Sequence, residues 1–185
     1  MDSVSQYPDG KLPDNVVLGP GTLVRGALAF KRFHARRNPA LVVGAHCTMD
    51  GATFALGDQA RMAIGDFCHF TNAVLLCEAE ITIGSHVFIG WNATITDADF
   101  HPLPPAERMA DALALSPLAD GRQRPPFESR PIVIEDDVWI GPMAAILKGV
   151  RIGAGAWIEP GSVVTQNVAS HSRVMGNPAR VIGEA

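Results

Sequence analysis

Aliphatic residues recur at every sixth position through one stretch of the chain: Ile134, Ile140, Ile146, Ile152, Ile158 and Val164. Two places earlier, Ile132, Val138, Ala144, Val150, Ala156 and Ser162 form a second register of small or aliphatic side chains. A helix repeats its apolar face at about 3.6 residues and a strand at about 2, so neither accounts for this beat. A short strand followed by a turn, repeated, satisfies both registers and predicts a parallel β-helix. The beat runs upstream through Ile64, Phe70 and Leu76, resumes after one inserted residue at Ile83, Ile89 and Ile95, and continues loosely at Leu18, Val24 and Phe30.

Each strand-turn unit is too short to bury its own apolar side chain and must do so against the unit stacked above it. Three units make a triangular coil, and coils stacked about 4.8 Å apart place Ile over Ile, an arrangement that suits β-branched residues. Gly84, Gly90, Gly141 and Gly153 follow the aliphatic residue, where a tight corner is expected to exclude a Cβ. The 185 residues therefore read as one all-β domain spanning 1–185.

Two segments interrupt the beat. KRFHARRNPA, residues 31–40, reads as a solvated basic loop. The second excursion, about 97–131, is longer than a compact solenoid needs for a connection, which points to function. It offers a short helix at Ala106–Leu115 whose Met109, Leu113 and Leu115 would need a surface to cover. Arg122 and Arg124 read as a solubilising fringe, while Arg108 and Arg130 have no assigned partner.

Charge and composition narrow the function classes. A net charge of −4 and a pI near 5.8 give neither a nucleic-acid footprint nor a polybasic membrane patch. Lysine occurs only at Lys11, Lys31 and Lys148, so arginine dominates the cations and favours planar contacts with phosphate or carboxylate. Cys47, Cys68 and Cys77 are an odd set without CxxC spacing, as expected of a reducing compartment. The N-terminal residues lack a basic and apolar leader pattern, and no apolar run reaches membrane-spanning length. A cytoplasmic protein without membrane insertion is the expectation.

His101 carries the chemistry. It stands where the long excursion leaves the coils, after Asp97, Asp99 and Phe100 and before Pro102, which restricts its backbone. An imidazole at a cleft mouth, with an acid near enough to fix its tautomer, can act as a general base near neutral pH. His46, His69 and His86 lie in or beside repeat corners, His34 in the basic loop and His171 in the C-terminal turn. None of the six forms a close zinc-type pair, so no metal is expected.

The segments ITIGSHVFIGWNATITDADFHP, PIVIEDDVWIGPMAAILKGVRIGAGAWIEPGSVVTQNV and GNPARVIG resemble, in order, the hexapeptide-repeat acyltransferases, especially the galactoside, maltose and exopolysaccharide O-acetyltransferases. The resemblance covers roughly residues 60–183 and implies a left-handed coil. It implies a homotrimer that binds acetyl-CoA in clefts between adjacent β-helices. A histidine at the position of His101 would take the proton from an acceptor hydroxyl. Asn72 and Asp99 would contact a small saccharide-like acceptor, although Asn72 also reads as a corner asparagine in a stacked ladder. Trp139, Gly141, Gly161, Thr165 and Arg180 would line the coenzyme site.

Several positions depart from that pattern. Pro142 and Pro160 lack the N–H that relatives turn toward the thioester or pantetheine. Gln166 replaces a common Lys and Gly183 a second phosphate-contacting Arg. The expected activity is acetyl transfer from acetyl-CoA to a hydroxyl. Its alternatives are N-acetylation of a free or nucleotide-linked amino sugar, and a non-catalytic β-helix scaffold subunit.

Overall fold

A computed structural model describes residues 7–185. The strands fall on three parallel faces, each visited once per coil, and close a left-handed β-helix. Face one stacks Val16–Leu18, Leu41–Val43, Arg61–Ile64, Glu80–Ile83, Ile132–Ile134 and Arg151–Ile152. Face two runs from Leu23–Arg25 through Thr48–Asp50, His69–Thr71, Phe88–Ile89, Trp139–Ile140 and Trp157–Ile158 to Ser172–Gly176. Its last neighbour, Ala179–Glu184, pairs antiparallel and ends the solenoid with a ribbon. Face three holds Thr53–Leu56, Val74–Cys77, Thr94–Thr96, Ala145–Ile146 and Val163–Val164.

Register follows the six-residue beat. Ile89 pairs with Ile140, Ile140 with Ile158, and Ile95 with Ile146, so aliphatic side chains stack in columns that are at most 1% exposed. One upstream assignment is corrected. Ile95 lies over Leu75, which is fully buried, and Leu76 points outward with Thr96. The corner after Phe70 is one residue shorter than the corner after Ile89, and a one-residue slip turns a strand's side chain to the opposite face.

The corner glycines have a different cause from the one expected. Gly84, Gly90 and Gly141 keep ordinary φ, but a Cβ on them would sit 2.6–2.7 Å from the backbone nitrogens of Asp136, Pro142 and Pro160 on the next coil. Close coil stacking excludes the side chain there. Positive φ is carried two residues later, by His86, Asn92 and Met143.

Both interruptions occupy the same side of the prism. Residues 26–40 leave face two and return to face one, and on the way Phe33 bridges Leu56 on face three. The segment between Thr96 and Ile132 leaves face three, forms helix α1 (Pro105–Ala114), and rejoins face one. Proline at the first helical position, with its fixed φ, starts α1 without a side-chain cap. Met109, Leu113 and Leu115 are 65%, 47% and 53% exposed, so these apolar side chains are left largely uncovered by the described residues.

Candidate functional site

The long excursion is fastened at its root by polar contacts. Asp97, fully buried at the end of face three, accepts backbone hydrogen bonds from Glu78 at 2.7 Å and Ala79 at 2.8 Å. It also takes the Cys77 thiol at 3.4 Å, and burial, then the Asp97 charge, push that thiol's pKa up. Ala98 bridges Ser129, and Lys148 reaches both strands of the root, with Asp99 and Glu128 each at 2.7 Å. Hydrogen bonds to Asp99 and Glu128 raise the Lys148 pKa, and Glu128 is lowered in return.

Past this root, Phe100 takes φ of 59°, which turns the chain and sets His101 over the cavity side. Its Nδ1 lies 2.6 Å from Oδ2 of Asp111 on α1. The Asp111 side chain is 1% exposed and is the buried residue of its helix. Arg124 closes the other side of the carboxylate, with Nε 2.7 Å from Oδ1 and Nη2 3.2 Å from Oδ2. The same Nη2 donates to the Phe100 carbonyl at 2.6 Å, and the guanidinium lies over the Phe127 ring at 5.2 Å. Hydrogen bonds from Arg124, then from His101, hold the Asp111 pKa down to about 2. When Nδ1–H donates to that carboxylate, the lone pair remains on Nε2, the tautomer a general base requires.

Two expectations are corrected by this arrangement. The acid that orients His101 is Asp111, ten residues on, while Asp97 is committed to the coil backbone and Asp99 to Lys148. Arg124 is an anchoring side chain and not a fringe, because the carboxylate beside it needs a second, permanently charged donor. The sequence signal for Asp111 was slight: one acid among Ala110, Ala112 and Leu113 in a helix whose apolar residues drew attention elsewhere. Lys148 had no signal beyond its rarity.

Beside His101 lies a cavity of about 300 Å³, reached also by Glu78 from the coil and by Arg32 and His34 from the first excursion. A second one of about 170 Å³ brings Thr165 together with Asp99 and Lys148. The other expected site residues lie elsewhere in the chain. Asn72 turns the corner between faces two and three at φ 47°, with its side chain over Gly51. Trp139 lies on face two, stacked on Trp157 at 4.0 Å, with Phe88 as its strand neighbour. Gly141 is wedged under Pro160, and Gly161 has φ 69° with open space where a Cβ would stand. Arg180 is in the terminal ribbon, where its guanidinium donates to its own Ala179 carbonyl. Within one chain, then, Asp99 and Thr165 share the second cavity, His101 lines the first, and the remaining residues lie away from both.

Residues 131–166 match the family described as bacterial transferase hexapeptide (six repeats). A galactoside O-acetyltransferase from Lactococcus lactis subsp. lactis is 30% identical over 141 residues, which cover 75% of this chain and 60% of the relative. A 2,3,4,5-tetrahydropyridine-2,6-dicarboxylate N-acetyltransferase from Staphylococcus aureus is 50% identical over 60 residues, 32% of this chain and 25% of the relative. The chain thus spans about three fifths of one curated relative and a quarter of the other. Among solved structures, a hexapeptide-repeat containing acetyltransferase from Vibrio cholerae superposes with a TM-score of 0.58 at 29% identity, covering 92% of this chain and 73% of that one. The structure of that protein with acetyl coenzyme A gives 0.52 at 27% identity, covering 92% and 70%.

Proposed function

We propose that this chain, which carries the hexapeptide repeat of bacterial transferases and resembles the hexapeptide-repeat O-acetyltransferases, moves an acetyl group from acetyl-CoA to a hydroxyl of a saccharide-like acceptor. The observation that carries the reading is the His101 imidazole, tied through Nδ1 to a nearly inaccessible carboxylate and bordering a cavity. In the step proposed, Nε2 accepts the acceptor's hydroxyl proton as the oxygen bonds to the thioester carbonyl carbon. The carbon–sulfur bond then breaks, and the imidazolium returns the proton to the departing thiolate. Asp111 holds the ring and favours the imidazolium as it forms.

Trp139 on face two and His101 beyond face three cannot serve one reaction within a single prism. They can do so when face two of one copy meets the His101 side of the next, and three such contacts close a ring. A homotrimer with acetyl-CoA between copies is therefore part of the proposal, with Gly161, Thr165 and Arg180 along the coenzyme and Asn72 on the acceptor. Light scattering at micromolar concentration is expected to give three chains per particle. A stable monomer would remove the shared site.

N-acetylation is the second reading, favoured by the Staphylococcus aureus match. The deciding experiment incubates the protein with acetyl-CoA and a panel of sugars and amino sugars, follows thiol release, and exposes the product to mild alkali. An ester is cleaved and an amide survives. Labile acetylated sugar is the expected product, and an alkali-stable one transfers the assignment to nitrogen.

A further inference from the structure

The two interruptions of the repeat converge on one cavity, and three of the groups that reach it have no part in the chemistry assigned above. Arg32 and His34 come from the first excursion, which is pinned there by the Phe33–Leu56 bridge and by His34 N–H donating to the Leu56 carbonyl at 2.8 Å. Glu78 comes from the coil. Its backbone is fixed by Asp97, and its carboxylate lies over Gly57, where any Cβ would collide with it. Among the described residues no side chain or backbone group hydrogen-bonds the Glu78 carboxylate or the Arg32 guanidinium, whereas Arg124 in the same wall is consumed by Asp111 and Phe100.

A carboxylate standing without a partner beside a general base is an acceptor for neighbouring hydroxyls. A free guanidinium lining the same small cavity is a fork for carboxylate or phosphate. Burial, then the Asp97 charge, raise the Glu78 pKa, and the nearby cations Arg124 and His34 offset this. The cavity therefore offers groups that receive hydroxyls, Glu78 and His101, and one uncommitted guanidinium, Arg32, that can receive an anion. Its volume of about 300 Å³ is at the small limit for ligand sites and suits one sugar ring with one substituent.

We infer that the acceptor is an anionic monosaccharide unit, a sugar phosphate or sugar acid, with Glu78 receiving hydroxyls next to the one acetylated and Arg32 holding the anion. This deepens the transfer reaction proposed above and rests on it for the word acceptor. The test compares methyl hexosides with hexose 6-phosphates and hexuronic acids, by acetyl-CoA turnover and by calorimetry in the presence of CoA, in the parent and in Arg32→Gln and Glu78→Gln. The anionic sugars are expected to show a KM at least about tenfold below their neutral parents. Arg32→Gln should raise KM for the anionic sugars about tenfold more than for the neutral ones, and Glu78→Gln should raise it for both.

Neutral sugars that work as well as anionic ones, with Arg32→Gln moving both alike, would overturn the inference and leave the transfer reaction standing. Anionic sugars that bind in an Arg32-dependent way but receive no acetyl group would uphold the cavity's chemistry and overturn the reaction. Neither binding nor transfer would overturn both. Retained trimer mass and melting temperature show that each variant is folded.

Discussion

From Ile132 to Val164 every strand is two or three residues long and every inward side chain is at most 2% exposed. The segment just before it contains one helix, leaves that helix's apolar residues in solvent, and buries a charged one, Asp111. The first region is held by stacked aliphatic columns. The second is held by ion pairs and hydrogen bonds: Asp111 with His101 and Arg124, Lys148 with Asp99 and Glu128, Asp97 with the coil backbone. The regular part supplies a frame that needs no chemistry, and the irregular part supplies chemistry that does not carry the frame. Disturbances should therefore separate them.

The largest expected effect is on turnover. His101→Ala should lower it by roughly 10²- to 10⁴-fold, while melting temperature and CoA binding stay near parental values, because the side chain is 55% exposed. Near-parental turnover would end the general-base assignment. Ile140→Ala attacks the other region. It should cost about 2–5 kcal/mol by denaturant unfolding, since the side chain is fully buried between Ile89 and Ile158, with turnover per folded molecule little changed.

Arg124→Gln should reduce turnover about tenfold, as expected when a buried charged group loses one strong partner, and Arg124→Lys should restore only part of it. Coil stability should be nearly untouched. A loss equal in both variants to that of His101→Ala would mean that Arg124 does more than hold Asp111.

The smallest effect is on acid stability, and its sign follows from the carboxylates. Asp111 titrates at about 2 in the folded chain, below the ordinary value of about 3.9 that it recovers on unfolding. Its stabilising contribution is complete above about pH 5 and is lost as the pH falls through 2, and Glu128, also lowered, acts in the same direction. Limited proteolysis between pH 5 and 2 should cut the segment around α1 first, while far-ultraviolet circular dichroism of the coils persists. Simultaneous loss of both would show that the excursion and the frame unfold as one.

The same division explains what could be read from the sequence. A solenoid is legible because each buried position is repeated: Ile140 is specified again by Ile89 and Ile158, and a single ambiguous residue such as Leu76 misplaces one side chain without changing the fold. The site has no repetition to average over. His101 was visible from its position at the exit of the coils, but Asp111 meets it through the path of a helix and Arg124 through a further turn, distances in sequence that no period encodes. Arg32 and His34 were assigned to solvent because the excursion they occupy gives no sign, along the chain, that it folds back on face three.

The register across the long excursion has a consequence for how such a chain can change. Ser85 and Asp136 are 51 positions apart, yet the Ser85 backbone N–H donates to the Asp136 carboxylate at 2.8 Å, and Ile83 stacks on Ile134 as Ile134 does on Ile152. The ends of the excursion are held at a fixed separation by the coils, whatever lies between them. Closing a flexible loop costs free energy that grows only with the logarithm of its length, about 0.6 kcal/mol per doubling. Lengthening, shortening or replacing the segment beyond its root thus puts little load on the prism. What the excursion contacts can therefore vary widely among chains whose coils remain superimposable.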